Sequence, residues 1–242
     1  MSALLEGQIA LITGAGRGIG RATALRLAQA GCHLALVART QSELEAVAAE
    51  AEHMGVRSLV LPTDVTDDAQ VEAMLQRALM QLGSISILVN NAGVAPPRAH
   101  HGKAAVAEWD RMLATCLRAP MVLSRLLLPD MLVHKRGAIV NVASSAARAA
   151  RAGEAAYAAA KAGLIAFSQA LFVEVRNSGI KVVAMCPGYV DTTFVPPNRQ
   201  VDRAKFLRPE DVAEAIFHVL TLSTHACPTE VILEPQFDPE RL

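Results

Sequence analysis

The chain alternates short apolar runs with longer stretches in which apolar residues return every three or four positions. Short runs of this kind suit strands buried on both faces, and the longer patterns suit amphipathic helices laid over them. The runs predict strands at Gln8–Ile12, His33–Ala38, Ser58–Leu61, Ile85–Asn90, Gly137–Ala143, Lys181–Cys186 and Glu230–Leu233. Helices are expected from about Gly18, then over Ser42–His53, Asp67–Leu82, Val106–His134, Ala155–Arg176 and Pro209–Leu222. Val106–His134 contains Pro120 and Pro129, each without a backbone donor, and is expected to kink or divide. Pro209, Glu210 and Asp211 give the last helix a proline and an acidic first turn, both favourable at a helix start. Alternation of strand and helix builds βαβ units, so the expected class is α/β, a parallel sheet flanked by helices on both faces.

Composition narrows this picture. A length of 242 residues suits one α/β domain spanning residues 1–242, and 52% apolar residues are ample for a buried sheet. Lys plus Arg and Asp plus Glu both total 23, so no net field draws the chain to nucleic acid or to an anionic membrane. A strand as early as Gln8 leaves little room for a signal peptide, and no uninterrupted run of ~18 apolar residues is evident. The expectation is a cytoplasmic protein. Cys32, Cys116, Cys186 and Cys227 lie far apart with no CxxC pair, and read as reduced thiols.

Two stretches carry candidate chemistry. TGAGRGIG follows the first strand and opens the first helix, placing Gly14, Gly18 and Gly20 where a backbone can approach a pyrophosphate at a helix N-terminus. Its spacing is not that of GxGxxG. About 20 residues further on, where a carboxylate would hold a ribose 2′-hydroxyl, stand Ala38 and Arg39. An arginine there, with Arg17 inside the turn, favours a 2′-phosphate and hence NADP(H) over NAD(H), which stays possible. The second stretch runs from Ser144 to Lys161; Tyr157 and Lys161, four apart, share one helix face, so a phenol and an ammonium can serve one site.

TGAGRGIG, Asp64, NNAG at Asn90–Gly93, Ser144 with Tyr157 and Lys161, and PGYVDT at Pro187–Thr192 occur in an order and spacing that closely resemble the short-chain dehydrogenase/reductase family, 3-oxoacyl-carrier-protein reductase-like members among them. The resemblance covers nearly the whole chain and implies a Rossmann-type doubly wound fold with seven parallel strands. It implies that Gly14, Gly18, Ile19 and Gly20 lie under the pyrophosphate and that Asp64 and Val65 contact adenine. Asn91, Ala92 and Gly93 would line the adenosine and ribose pocket. Thr192, after the Pro187–Gly188 turn, would bond the nicotinamide carboxamide, and Lys161 would also reach the ribose. A homodimer or homotetramer built from the helices around Val106–His134 and Ala155–Arg176 is implied as well.

In such a site a carbonyl that accepts hydride needs a proton, and Tyr157 is the expected general acid, with Lys161 favouring its phenolate and Ser144 orienting the oxygen. One position departs from the family: Cys116 stands where an asparagine usually completes the catalytic set, and a thiol donates and accepts only weakly. Val94–Ala104 and Tyr189–Leu207 are expected to face a small carbonyl or alcohol substrate. In the second of these, the stretch at 189–207 reads as a substrate loop. Phe194, Val195 and Pro196 would cover an apolar ketone, and Arg98, Lys103, Arg199, Arg203 and Lys205 read as solvated charges or as contacts for an anionic carrier. His100 and His101 read as loop residues, and no metal motif is found. The rival reading is a nucleotide-sensing or scaffold protein of the same fold with impaired chemistry.

Overall fold

The computed structural model describes residues 4–95, 105–195 and 201–241. Seven strands, β1 (Ile9–Thr13), β2 (His33–Ala38), β3 (Ser58–Pro62), β4 (Ile87–Asn90), β5 (Gly137–Val142), β6 (Ile180–Pro187) and β7 (Glu230–Leu233), form one parallel sheet in the order β3-β2-β1-β4-β5-β6-β7. The helices are α1 (Gly18–Gln29), α2 (Gln41–Glu52), α3 (Asp68–Leu82), α4 (Val106–Leu113), α5 (Ala119–His134), α6 (Ala155–Val175) and α7 (Pro209–Thr221). This is the doubly wound Rossmann-type sheet expected from the sequence, with element ends displaced by a residue or two. Asp67, expected as the first residue of α3, is instead its cap, its side chain accepting from the Gln70 amide.

Strand side chains alternate between two cores. Ala10 and Ile12 of β1 join Leu27 of α1, Leu44 of α2 and Ile216 of α7 on one face. Ile9 and Leu11 join Met74 of α3, Leu123 of α5 and Leu171 of α6 on the other. The period of two and burial on both faces explain why β1 reads as an unbroken apolar run.

The helical pattern at Val106–His134 does divide, but short of its prolines. Residues Ala114–Arg118 form a single π turn, closed by the Ala119 amide on the Ala114 carbonyl. Pro120, the second residue of α5, has no N–H to close an α-helical bond on Cys116, so the wider turn is favoured just before it. Pro129, also expected to kink or divide the pattern, sits inside an uninterrupted α5. Against the expectation from composition, the stretches Val106–His134 and Ala155–Ser178 are each long and apolar enough to cross a membrane by that criterion alone. In this fold α5 and α6 lie against the sheet. Arg98, His100, His101, Lys103, Pro196 and Arg199 lie outside the described residues.

Candidate active site

The carboxyl ends of β1, β4, β5 and β6 open onto a cleft of about 690 Å³. It sits where the strand order reverses between β1 and β4, the crevice a doubly wound sheet offers a ligand. One end is built by the glycine turn. Gly14 and Gly18 have φ of 64° and 55°, and both line the cleft. A β-carbon on Gly18 would stand 3.0 Å from Thr192 Cγ2, so glycine lets the turn and Thr192 close on one another. Ile19, Arg17, Arg39, Val65, Ala92, Gly93, Pro187 and Gly188 also line this cleft.

Gly20 does not line it. A β-carbon there would meet the Gly14 carbonyl oxygen at 2.1 Å, so Gly20 packs behind the turn and permits its curvature. The Asn91 side chain braces the turn as well as lining the cleft: Nδ2 donates to the Thr13 carbonyl at 2.9 Å and the Gly14 carbonyl at 3.2 Å. Thr13, overlooked in the sequence, completes the brace, its hydroxyl accepting from the amides of Asn91 and Ala92 at 3.0 Å each. Asp64 accepts from the Thr66 amide and hydroxyl at 2.9 and 2.7 Å. Those bonds, the amide's first, with Arg39 nearby, hold its pKa below the usual carboxylate value. Arg17 reaches Glu43 at 3.4 Å, a surface pair.

At the other end β5 delivers Ser144 and α6 delivers Tyr157 and Lys161, all on the cleft wall. Ser144 caps the short turn Ser145–Ala147, its Oγ accepting from the Ala146 amide at 3.2 Å. Tyr157 and Lys161 are both buried. Lys161 Nζ donates to the Val142 carbonyl at 2.7 Å and lies 5.8 Å from the Tyr157 ring centre. Burial pushes the Tyr157 pKa well above 10.0, helped by Cys116 and Glu154 and opposed by a hydrogen bond with Ser144. Burial pushes the Lys161 pKa down, with Cys116 and Cys186 opposing. Cys116 is fully buried in the π turn, in one cluster with Tyr157, Met112 and Ala160. Phe194 lines this end, its ring 5.9 Å from that of Tyr157.

The model of the short chain dehydrogenase family matches residues 8–202. The chain belongs to that family. An uncharacterized oxidoreductase of Staphylococcus aureus (strain MRSA252) is 32% identical over 232 residues, which cover 96% of this chain and 99% of the relative. A ketoacyl reductase, HetN, of Nostoc sp. is 34% identical over 95% of this chain and 79% of its own length. Among solved structures, a metagenomic short-chain oxidoreductase in complex with NADP superposes with TM-score 0.85 at 31% identity, covering 97% of this chain and 100% of that one. An alcohol dehydrogenase from the archaeon Thermococcus sibiricus, complexed with 5-hydroxy-NADP, superposes with TM-score 0.86 at 26% identity, covering 96% and 97%. The protein is thus an oxidoreductase of the short-chain dehydrogenase family with a nicotinamide-cofactor fold.

Two features of this short-chain dehydrogenase were not legible in its sequence. Arg203 pins the segment beside Thr192, with its guanidinium on Asp191 and on the carbonyls of Thr192 and Val195 at 3.0 Å each. Glu240, after β7, accepts from Arg151 Nε at 3.0 Å and from the Tyr189 hydroxyl at 2.8 Å, and both donors line the cleft. All four cysteines are free thiols, and among the described residues no cluster of three His, Cys, Asp or Glu side chains is placed to hold a metal.

Proposed function

We propose that the protein is an NADP(H)-dependent reductase of small carbonyl compounds, or a dehydrogenase of the matching secondary alcohols. The observation carrying this reading is the meeting of Ser144, Tyr157 and Lys161 on the wall of a cleft whose far end is a glycine turn flanked by Arg17 and Arg39. The turn's bare backbone and these two cations fit a phosphorylated dinucleotide. When bound, that cofactor supplies or accepts the hydride.

The chain's own groups do the rest. Ser144 and Tyr157 offer two hydroxyls to one carbonyl oxygen, Ser144 to orient it and Tyr157 to protonate it. Burial keeps the phenol protonated at neutral pH, which suits reduction. In the oxidising direction the phenolate is needed, and Lys161, when protonated, favours it. Glycines Gly14 and Gly18, with Ile19, receive the pyrophosphate, Gly20 supports them from behind, and Asp64, Val65, Asn91, Ala92 and Gly93 bound the adenosine side. Thr192, set by the Pro187–Gly188 turn, faces the nicotinamide. One domain carries the whole site, with residues 189–207 as its substrate loop.

The test is NADPH oxidation across a carbonyl panel, with Tyr157→Phe as the decisive variant. Loss of about 10²–10⁴-fold in reduction with NADPH binding retained is expected; near-native turnover in that variant overturns the acid assignment. Cys116 in place of asparagine favours the second reading, a nucleotide-binding member with impaired chemistry, and tight NADPH binding without turnover on any panel member would support it. Val106, Met121 and Val173 on α4, α5 and α6 are large apolar residues exposed to solvent, and they support a homodimer or homotetramer through these helices. Light scattering that finds a monomer at working concentration refutes that assembly.

A further inference from the structure

Glu240 lies outside the cleft yet holds two of its wall residues. One carboxylate oxygen accepts from Arg151 on one side and Tyr189 on the other, and the Arg151 guanidinium lies 4.7 Å from the Tyr189 ring centre. The segment that brings it there is itself fastened to the substrate loop. The Asp202 amide donates to the Pro239 carbonyl at 2.9 Å, Lys205 Nζ donates to the Arg241 carbonyl, and Pro239 is buried. Within the segment, the Glu240 amide is tied to Asp238 Oδ1 at 2.9 Å. The carboxylate is therefore presented by an ordered backbone and needs little further ordering to meet its donors.

The charge pattern makes this contact consequential. Among the described residues, the side of the cleft near Tyr157 carries the cations Arg111 and Arg151, the buried Lys161 and the buried acid Glu154. With Glu240 on Arg151, that cation of the wall is already paired. A carboxylate on the substrate would have to displace Glu240 from Arg151 while also approaching Glu154. An uncharged carbonyl compound meets no such competition.

We propose that Glu240 is a specificity-determining residue that selects against carboxylate-bearing carbonyl substrates by occupying Arg151 at the cleft wall. The proposal rests on the reductase reading of the site. Glu240 is a positioning residue here, since it acts through Arg151 and Tyr189 and not on the reacting atoms.

The test compares keto acids (pyruvate, acetoacetate and levulinate) with their methyl esters in the wild type, in Glu240→Gln and in Glu240→Gln with Arg151→Ala. Glutamine keeps an oxygen for the Tyr189 hydroxyl but gives up the charge on Arg151. Both partners are partly exposed, so the expected gain is about fivefold in KM for the acids, with kcat and the ester KM within about twofold. The second substitution should abolish the gain. An unchanged acid KM in Glu240→Gln, or acid and ester shifting together, overturns the proposal. Calorimetric titration of the same acids into the same proteins gives a readout independent of turnover. If no substrate is reduced, the reductase reading fails, while tighter acid binding to Glu240→Gln still supports the selectivity and equal binding overturns it.

Discussion

Replacing Ser168 by alanine breaks a hydrogen-bond chain buried between the centre of the sheet and α6. Asn90 Nδ2 donates to Asn141 Oδ1 at 2.8 Å, Asn141 Nδ2 to Ser168 Oγ at 2.8 Å, and Ser168 Oγ to the Leu164 carbonyl at 2.7 Å. All three side chains are at most 2% exposed, so a donor left without its acceptor finds no solvent. Orphaning Asn141 Nδ2 costs about 1–3 kcal/mol. Alanine returns roughly 0.5 kcal/mol of helix propensity in α6, which leaves a net loss of about 1.5 kcal/mol. For a chain of 242 residues that is a fall in Tm of about 3–6 °C, read by thermal unfolding at one protein concentration because assembly would make Tm concentration-dependent. A cycle with Asn141→Ala should show coupling above about 0.5 kcal/mol between the two sites. A Tm for Ser168→Ala within the error of the wild type would refute the reasoning. The chain bears on the site too: Asn141 precedes Val142, whose carbonyl holds Lys161.

Removing the cation beside the adenosine end, Arg39→Ala, should raise KM for NADPH by about tenfold or more through the lost charge-assisted contact, with NADH little affected. A wild type that prefers NADH would sink the assignment of a 2′-phosphate. Because burial raises the Tyr157 pKa, its phenol keeps its proton through neutral pH and loses it only as pH climbs past the ordinary tyrosine value of 10.0. Carbonyl reduction should therefore hold steady to alkaline pH while alcohol oxidation rises with pH. A reduction profile falling through neutrality, in the presence of saturating NADPH, contradicts the raised value.

Periodicity alone located β2 to the residue, because a strand buried on both faces has no competing pattern, and it also bounded the edge strand β7, whose Ile232 is exposed. It erred where one residue type permits several outcomes. Pro129 removes a donor and yet α5 runs through it, while the π turn forms ahead of Pro120, whose missing N–H leaves the Cys116 carbonyl without an α-helical partner. Glycine spacing marked the turn but not its two sides, so Gly20 read as a ligand-facing residue when its absent side chain serves the Gly14 carbonyl. Ser144, Tyr157 and Lys161 were legible because they lie within one stretch of chain and because motifs surround them in order. Arg151 and Glu240 meet across 89 positions and Tyr189 and Glu240 across 51, and no local pattern announces such pairs. Their meeting depends on β7 lying beside β6, which brings the segment after β7 back over the loop that follows Pro187. The glycine-turn end of the cleft was thus written locally, whereas the end near Tyr157 is closed by residues that only the completed sheet brings together.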